Sequence, residues 1–334
     1  MAIILITPEG PSTRTGNAVA ALRWAQILRR LGHRVTVACD YAGEPADAMV
    51  AIHAWRSADA IGRFKARHPA LPLIVQLSGT DIYQYITEDA APTLRSMELA
   101  DRLVALNSLA WRVVPKELRN KLRVIFQSAP KSARPRHPGE RHVEIAVIGH
   151  LRDVKDPLRA AAAARLLPET SRIRIVHIGR PYTAEWEAKA RAEMAANPRY
   201  VWRDDVPRAG VQNLLQRSHA MVLSSFSEGG ANVISEAVVC GVPVLASRMD
   251  GNVGLLGADY PGYFPVGDTR ALARLMGRIE TDRQFVAKLR CAIARRAPLF
   301  RPERETAAWR RLLAELALQS GPSPVRRLPP RRGR

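Results

Sequence analysis

The sequence predicts an α/β protein built from two doubly wound domains that face each other across a cleft. Short apolar, β-branched runs alternate with helix-periodic stretches through most of the 334 residues, and this alternation requires parallel sheets covered by helices on both faces. The alternation is interrupted once, over residues 129–142, where three Pro and several charged residues occur without hydrophobic periodicity. Such a segment is typical of an interdomain linker. The chain length also fits two domains of about 150 residues each.

The first domain is predicted over residues 1–135. Its strands are expected at residues 2–6, 34–38, 48–52, 73–77, 102–106 and 122–126. A helix is predicted over residues 17–31, followed by Gly32 at the position where helices commonly end. The apolar residues expected to share one face of this helix are Val19, Leu22, Ile27, Leu28 and Leu31.

The second domain is predicted over residues 136–300. Its strands are expected at residues 143–148, 172–178, 219–224, 242–246 and 262–265. A last periodic helix covers about 303–318, and the sequence leaves open whether it packs back on the first domain. Residues 320–334 contain five Arg, four Pro and no acidic residue, so this basic tail is predicted to be disordered.

The net charge of +20 raises the question of an anionic partner. Aromatic residues make up only 6% of the chain and are not interleaved with the basic ones, which is unfavourable for base stacking. Arg and Ala are abundant throughout, including in plain helical stretches such as 158–166. We therefore predict no specific nucleic-acid partner, and a non-enzymatic basic binding protein stays an alternative.

Membrane and metal chemistry are not indicated by the sequence. No run approaches the roughly 18 apolar residues of a membrane span, and no amphipathic helix carries exposed Trp or Phe anchors. The N-terminal residues lack the basic flank of a signal peptide, so a cytoplasmic protein without stable membrane anchoring is expected. The three cysteines (Cys39, Cys240 and Cys291) form no CxxC pair and have no histidines at ligand spacing. No essential metal and no disulfide framework are predicted.

The most informative motif lies between a predicted strand and a helix that begins near Asn232. Gly229 and Gly230 precede this helix, and glycines at a helix N-terminus let backbone N–H groups approach a diphosphate. Ala231 belongs to the same turn. Glu228 stands at the mouth of the helix and Glu236 two turns along it, a spacing that suits hydroxyl groups on either side of a diphosphate. The alternative is a plain turn flanked by surface glutamates.

A second motif follows the strand at 143–148. Residues 149–157 read GHLRDVKDP and place His150, Arg152 and Lys155 on a strand-to-helix loop. Basic side chains at the carboxyl edge of a parallel sheet are well placed to neutralise phosphates. An exposed charged loop is the alternative.

The first domain supplies further candidates at the ends of its strands. The loop at 7–17 is rich in glycine and hydroxyl groups but is not GxGxxG, so a nicotinamide dinucleotide is not favoured. Its candidates are Arg14, Gly16 and Asn17. The later strands are followed by His53 and Arg56, by Ser78, Thr80 and Asp81, and by Ser128. A lone histidine such as His53 is as often structural as catalytic.

The Glu228-x7-Glu236 spacing, the following GVPVLAS and the basic loop together resemble retaining glycosyltransferases of the GT-B class, family 4 type, over residues 1–320. The resemblance implies that Lys155 binds the donor phosphates, that Glu228 contacts the donor sugar and that Glu236 contacts the ribose of a nucleotide. His150 stands where that family usually has Arg, and Arg152 is expected to supply the missing charge.

A narrower resemblance is to the selenosugar synthases of selenoneine biosynthesis. It is carried by the strings GHLRDVKDP, EGGANVISEA and SRMDGNVGLLGADYPGYFPVGDT, and by the early TGN, ALRWA and SGTD segments. It implies that selenophosphate attacks the anomeric carbon of UDP-N-acetylglucosamine or UDP-glucose, giving a 1-selenosugar, UDP and phosphate. The UDP-sugar is then a co-substrate, and no cofactor is expected.

The acceptor chemistry follows from that resemblance. Selenium in selenophosphate is already a strong nucleophile, so no strong general base is required. Cationic and hydrogen-bonding groups near the sugar are expected to hold it, and the candidates are Arg14, His53, Arg56, Ser78 and Thr80. Two enzymatic alternatives stay open: a family 4 type glycosyltransferase with an ordinary hydroxyl acceptor, and a UDP-sugar epimerase.

Overall fold

The computed structural model describes residues 1–10, 13, 15–131 and 135–320. Arg14 and residues 321–334 of the predicted basic tail lie outside the described residues. Two separate parallel sheets of six strands each form the frame of the molecule, which confirms the predicted pair of doubly wound α/β units.

The first sheet has the strand order β2-β1-β3-β4-β5-β6. Its strands are β1 (Ala2–Ile6), β2 (Arg34–Ala38), β3 (Ala48–Ile52), β4 (Leu73–Leu77), β5 (Arg102–Ala105) and β6 (Leu122–Val124). Successive side chains of β1 enter different cores, because side chains alternate between the two faces of a strand. Ile3 and Leu5 pack on one face with Trp24, whereas Ile4 and Ile6 pack on the other. Both faces are therefore buried, as the continuous apolar runs predict.

The helices of the first domain are α1 (Gly16–Arg30), α2 (Ala58–Arg67), α3 (Ile86–Glu88) and α4 (Ala90–Leu99). Helix α1 corrects the predicted apolar face. Ile27 and Leu28 are buried, but Val19 and Leu22 are about 40% exposed and line a cleft between the domains. Alanines and Trp24 form the buried face instead, since small side chains let the helix lie close to the sheet.

The second sheet has the strand order β12-β11-β10-β7-β8-β9. Its strands are β7 (Val143–Ile148), β8 (Ile173–Ile178), β9 (Tyr200–Arg203), β10 (Ala220–Leu223), β11 (Val244–Ser247) and β12 (Tyr263–Phe264). Strand β9, at the edge of this sheet, was not predicted, although its aromatic and β-branched side chains are typical of strands. The helices are α5 (Arg159–Ala164), α6 (Ala184–Ala196), α7 (Arg208–Arg217), α8 (Asn232–Val239), α9 (Asp250–Leu256), α10 (Thr269–Thr281) and α11 (Arg283–Arg296).

The last helix, α12 (Pro302–Ser320), lies on the first domain. Trp309 packs edge-on against Trp24 with ring centroids 4.7 Å apart, and Leu312 and Leu316 join the same core. Glu305 is buried in this contact and accepts a hydrogen bond from Trp24 Nε1 at 2.7 Å. The chain therefore crosses between the domains a second time, and α12 lies on the first one.

The two domains touch at the carboxyl ends of their strands. Asn107 Nδ2 of the first domain donates to the Gly229 carbonyl of the second at 2.7 Å, and Arg112 pairs with Asp250 at 2.9 Å. The backbone at Ser78 lies so close to Gly229 that a Cβ on Gly229 would stand 2.0 Å from the Ser78 carbonyl oxygen. In the part of the chain that the structure describes, no helix combines the length and apolarity needed to cross a membrane.

Candidate active site

A cavity of about 660 Å³ lies between the domains and is lined by loops that follow the strands of both sheets. It brings together most of the residues that the sequence singled out. From the first domain, it is lined by Gly16, Asn17, His53, Arg56, Ser78 and Thr80. From the second domain, it is lined by His150, Arg152, Lys155, Glu228, Gly229, Gly230, Asn232 and Glu236. Ligands bind at this edge of parallel α/β sheets because the strand-to-helix loops converge there.

The two glycines before α8 leave no room for side chains. A Cβ on Gly229 would stand 2.0 Å from the Ser78 carbonyl oxygen, and one on Gly230 would stand 2.3 Å from the Leu106 Cβ. The turn therefore presents bare backbone to the cavity at the N-terminus of α8. Unpaired N–H groups and the helix dipole at such a terminus favour an anion.

Lys155 and Glu228 form an ion pair in the cavity wall. The Lys155 ammonium lies 2.5 Å from Glu228 Oε1, and the same oxygen accepts a hydrogen bond from Ser225 Oγ at 2.6 Å. Lys155 ends a short 3-10 turn, and the next residue, Asp156, has φ 46°. This left-handed residue is fixed by Arg159, whose Nε donates to its carboxylate at 2.6 Å. The loop thus holds the ammonium towards the glycine turn.

Glu236 lies two turns into α8 and lines the same cavity. Burial raises the pKa of its carboxyl group above the usual value, while the charges of Arg208 and Arg23 oppose that shift. A carboxylate that is buried next to two cations can accept hydrogen bonds from ligand hydroxyls at neutral pH.

Gly149, the first residue of the basic loop, is hydrogen-bonded through its carbonyl oxygen to His177. The fully buried imidazole lies 2.9 Å from the Gly149 carbonyl oxygen and 2.8 Å from the Tyr200 hydroxyl. Because a carbonyl can only accept, Nε2 carries the proton and Nδ1 accepts from the tyrosine. On the cavity side of the loop, the Arg152 guanidinium lies 5.3 Å from the centre of the Tyr182 ring.

His53 forms part of the opposite wall. Its φ of 74° is unusual for a residue other than glycine, and such strain is concentrated at functional sites. Nδ1 accepts the backbone N–H of Arg56 at 3.2 Å, so Nε2 carries the proton that is donated to Thr80 Oγ1 at 2.9 Å. Burial lowers the pKa of the imidazole, which keeps it neutral at pH 7.

Arg56 is paired with a residue that the sequence did not single out. Its Nη1 donates to Glu9 Oε1 at 2.7 Å, and Glu9 Oε2 accepts from Thr15 Oγ1 at the same distance. Glu9 and Thr15 both line the cavity. The glycine- and hydroxyl-rich loop at 7–17 pointed to this part of the chain. The pairing of Glu9 with Arg56 could not be predicted, because the two residues are 47 positions apart in the sequence.

Three residues that the sequence predicted to bind ligands do not line the cavity: Asp81, Ser128 and Ala231. Asp81 is buried, and its carboxylate accepts the backbone N–H groups of Ala54, Ser78, Gly79 and Ile82, so it shapes the loop after β4. Ser128 is buried against Glu305, to which its Oγ donates at 2.5 Å. Ala231 is buried at the start of α8.

The cavity also contains an unpredicted link between the domains. Arg23 of α1 donates through Nη1 to Asn232 Oδ1 of α8 at 3.0 Å and through Nε to the buried Glu305 at 3.2 Å. Through Glu305, helix α12 therefore holds Arg23 of the first domain against Asn232, the first residue of α8. Within the described residues, no group of three or more His, Cys, Asp or Glu side chains is arranged to hold a metal ion.

The chain belongs to the group 1 glycosyl transferases. The model of that family matches residues 131–298, which is half of the 334-residue chain and contains the basic loop, the glycine turn and both glutamates. A curated relative, Glycosyltransferase 1 domain-containing protein 1 of Xenopus tropicalis, is 28% identical over 167 residues, or 48% of each chain. The chain thus spans about half the length of this relative.

Solved structures with the same architecture cover nearly the whole chain. Sucrose-phosphate synthase from Thermosynechococcus elongatus superimposes with a TM-score of 0.76 at 15% identity, covering 94% of this chain and 98% of its own. Anabaena HepE, crystallised in complex with UDP, gives a TM-score of 0.75 at 15% identity, covering 94% and 99%. At these identities the likeness concerns the fold, and it confirms the GT-B arrangement.

Proposed function

We propose that this protein is a UDP-sugar-dependent glycosyltransferase that transfers its sugar to the selenium of selenophosphate. The proposal of a glycosyltransferase rests on one observation: Lys155, Glu236 and the glycine turn line the same interdomain cavity. Together they offer a cation, a hydroxyl acceptor and bare backbone amides, which are the groups that a nucleoside diphosphate requires. Family membership supports the same reaction class.

The donor is proposed to be a UDP-sugar. The diphosphate would lie at the N-terminus of α8 beside Lys155 and Arg152, with the ribose hydroxyls on Glu236 and the sugar near Glu228. A fold neighbour, Anabaena HepE, was crystallised with UDP and with UDP-glucose, which supports uridine as the nucleoside. UDP-N-acetylglucosamine and UDP-glucose are the sugars we propose.

The transfer step needs leaving-group stabilisation more than a base. Selenium attacks the anomeric carbon, the bond from that carbon to the diphosphate oxygen breaks, and its electron pair leaves with UDP. Lys155, Arg152 and the amides of the glycine turn would stabilise the charge that develops there. Before that, Lys155 must exchange its partner Glu228 for the diphosphate, which leaves Glu228 to accept a sugar hydroxyl. One water is then required to cleave the P–Se bond and release phosphate.

The acceptor is proposed to bind the wall of the first domain. Arg56 offers a cation there, and the hydroxyl of Thr80 is free to donate because its oxygen accepts from His53. Ser78 Oγ is buried and has no hydrogen-bond partner among the described residues. The guanidinium and the two hydroxyl groups are donors that an oxyanion can use. No cofactor and no metal are proposed, and both substrates are small molecules.

An ordinary hydroxyl acceptor is the second candidate. It is favoured by Glu9, whose carboxylate lies in the same wall and could accept a hydrogen bond from an alcohol. The deciding experiment mixes the protein with selenophosphate or simple alcohols and a panel of UDP-sugars, and detects the product by mass spectrometry. A selenium-bearing sugar supports the first proposal, whereas transfer to alcohols alone supports the second.

Donor binding is tested separately by calorimetry with UDP. We expect binding by the wild type, and weaker binding by Glu236→Gln, which keeps the shape of the side chain but removes its charge. Glu187→Gln is the matched control, because Glu187 lies on the exposed surface of α6 in the same domain. Folded protein that takes up neither UDP nor a UDP-sugar would contradict the transferase proposal itself.

A further inference from the structure

Glu9 is paired with Arg56, the cation that is proposed to bind the acceptor. Arg56 donates to Glu9 Oε1 at 2.7 Å. The Arg56 side chain is 33% exposed and that of Glu9 is 21% exposed, so solvent screens this pair only in part. As long as the pair persists, the wall beside His53 and Thr80 carries little net charge. An anionic acceptor must therefore compete with the Glu9 carboxylate for Arg56.

The surroundings of this ion pair are otherwise those of an oxyanion site. Ser78 Oγ is buried in the cavity wall and has no hydrogen-bond partner in the described part of the chain. An unsatisfied buried polar atom is costly, and a serine hydroxyl can be satisfied by donating to a ligand. Thr80 adds a second hydroxyl donor on the same wall.

Glu9 has a second holding point that does not involve Arg56. Its Oε2 accepts from Thr15 Oγ1 at 2.7 Å, and Thr15 is the N-cap residue of α1, where its Oγ1 accepts the N–H of Ala18. A carboxylate near a helix N-terminus is stabilised by the helix dipole. Glu9 can therefore release Arg56 and stay bound to Thr15.

We propose that Glu9 is a specificity-determining residue that stands in for the anionic group of the acceptor on Arg56 and is exchanged for it on binding. This inference rests on the proposed function and deepens it, because it assigns the acceptor to the class of small phosphate-like dianions. A neutral alcohol cannot displace a carboxylate from a guanidinium, so the exchange discriminates against hydroxyl acceptors. It also keeps Arg56 neutralised while the acceptor is absent.

The test measures binding of inorganic phosphate to protein saturated with UDP, so that the proposed diphosphate site is filled. Glu9→Gln removes the competing charge but can keep both hydrogen bonds, and we expect it to bind phosphate tighter than the wild type by on the order of tenfold. Arg56→Gln should abolish phosphate binding in both the wild-type and the Glu9→Gln background. Glu44→Gln, at an exposed carboxylate of the same domain that bonds the Ala42 N–H, is the matched control and should change nothing.

Each outcome decides the matter. Phosphate affinity that is unchanged or weaker in Glu9→Gln, or absent in both proteins, overturns the inference. If Glu9→Gln does not fold, Glu9→Asp, which shortens the reach to Arg56, must give the same direction of change. UDP titrations of the same variants separate a failure of this inference from a failure of the proposed function. If UDP still binds but phosphate affinity does not rise in Glu9→Gln, only this inference is wrong. If the wild type does not bind UDP, the proposed function is wrong as well.

Discussion

His177 provides a quantitative test of how the basic loop at residues 149–157 is supported. The imidazole is fully buried in β8 and donates to the carbonyl of Gly149, the residue at which the basic loop begins. Burial is the largest cause that lowers the pKa of this histidine, to about 4, and the charge of His150 acts in the same direction. Protonation would place a positive charge in a dry position under the loop.

The sign and size of the pH effect follow from that pKa. The ordinary pKa of histidine is 6.5, so the unfolded chain binds this proton well before the folded protein does. The stabilisation from the neutral imidazole is fully present above about pH 6.5 and is lost as the pH falls towards about 4. At about 1.4 kcal/mol for each pH unit, the total loss is about 3 kcal/mol.

The assay compares the free energy of unfolding of the wild type and of His177→Gln in urea, from about pH 7.5 to about pH 4.5. Glutamine can donate to Gly149 and accept from Tyr200 but does not titrate, so the difference between the two proteins isolates this histidine. We expect the wild type to lose about 2 to 3 kcal/mol more than the variant over this range. The same pH dependence in both proteins would refute the reasoning.

Three further predictions concern the cleft. Lys155→Ala should lower the transfer rate about 100-fold or more with unchanged circular dichroism, and near-normal turnover of the purified variant would count against its role at the diphosphate. Gly229→Ala should force the domains apart, because its Cβ would stand 2.0 Å from a backbone oxygen across the interface. UDP affinity should fall in this variant but not in the control Gly62→Ala, where nothing lies within 4 Å, and equal affinities would show that the contact is dispensable. Glu305→Ala should cost about 3 kcal/mol of stability in urea denaturation, because it leaves the partly buried Arg23 and the buried Trp24 without this acceptor; a loss below about 1 kcal/mol would contradict this.

The parallel sheets were predictable because both faces of each central strand are buried. Such strands appear in the sequence as continuous apolar runs, as in Ile3–Ile6 and Met49–Ile52, which enter two cores at once. Strand β9 escaped prediction because it lies at the edge of its sheet and is not buried along its whole length, so it lacks a continuous apolar run. The face of α1 was predicted wrongly at Val19 and Leu22, since helical periodicity identifies an apolar stripe but not whether a sheet or a cleft lies against it.

The site divides in the same way. The glycine turn, Glu228 and Glu236 could be found from the sequence, because a strand, a turn and a helix that are adjacent in the chain fix their positions relative to each other. Lys155 could be found because it lies on the basic loop that follows another strand of the same sheet. The partners of these residues could not. Asp81 illustrates the limit: it follows a strand, as a ligand residue would, yet its carboxylate is consumed by backbone N–H groups of its own loop and of the loop after β3.

By itself, the sequence determined the two sheets, the basic loop and glycine turn of the candidate site, and the family, because these depend on burial patterns and on groups close together in the chain. Only the tertiary structure decided that α12 returns to the first domain, that Glu9 holds Arg56, and that Arg23 joins Glu305 to Asn232. Those contacts connect residues up to 282 positions apart, and no local propensity encodes which distant carboxylate will reach a given cation.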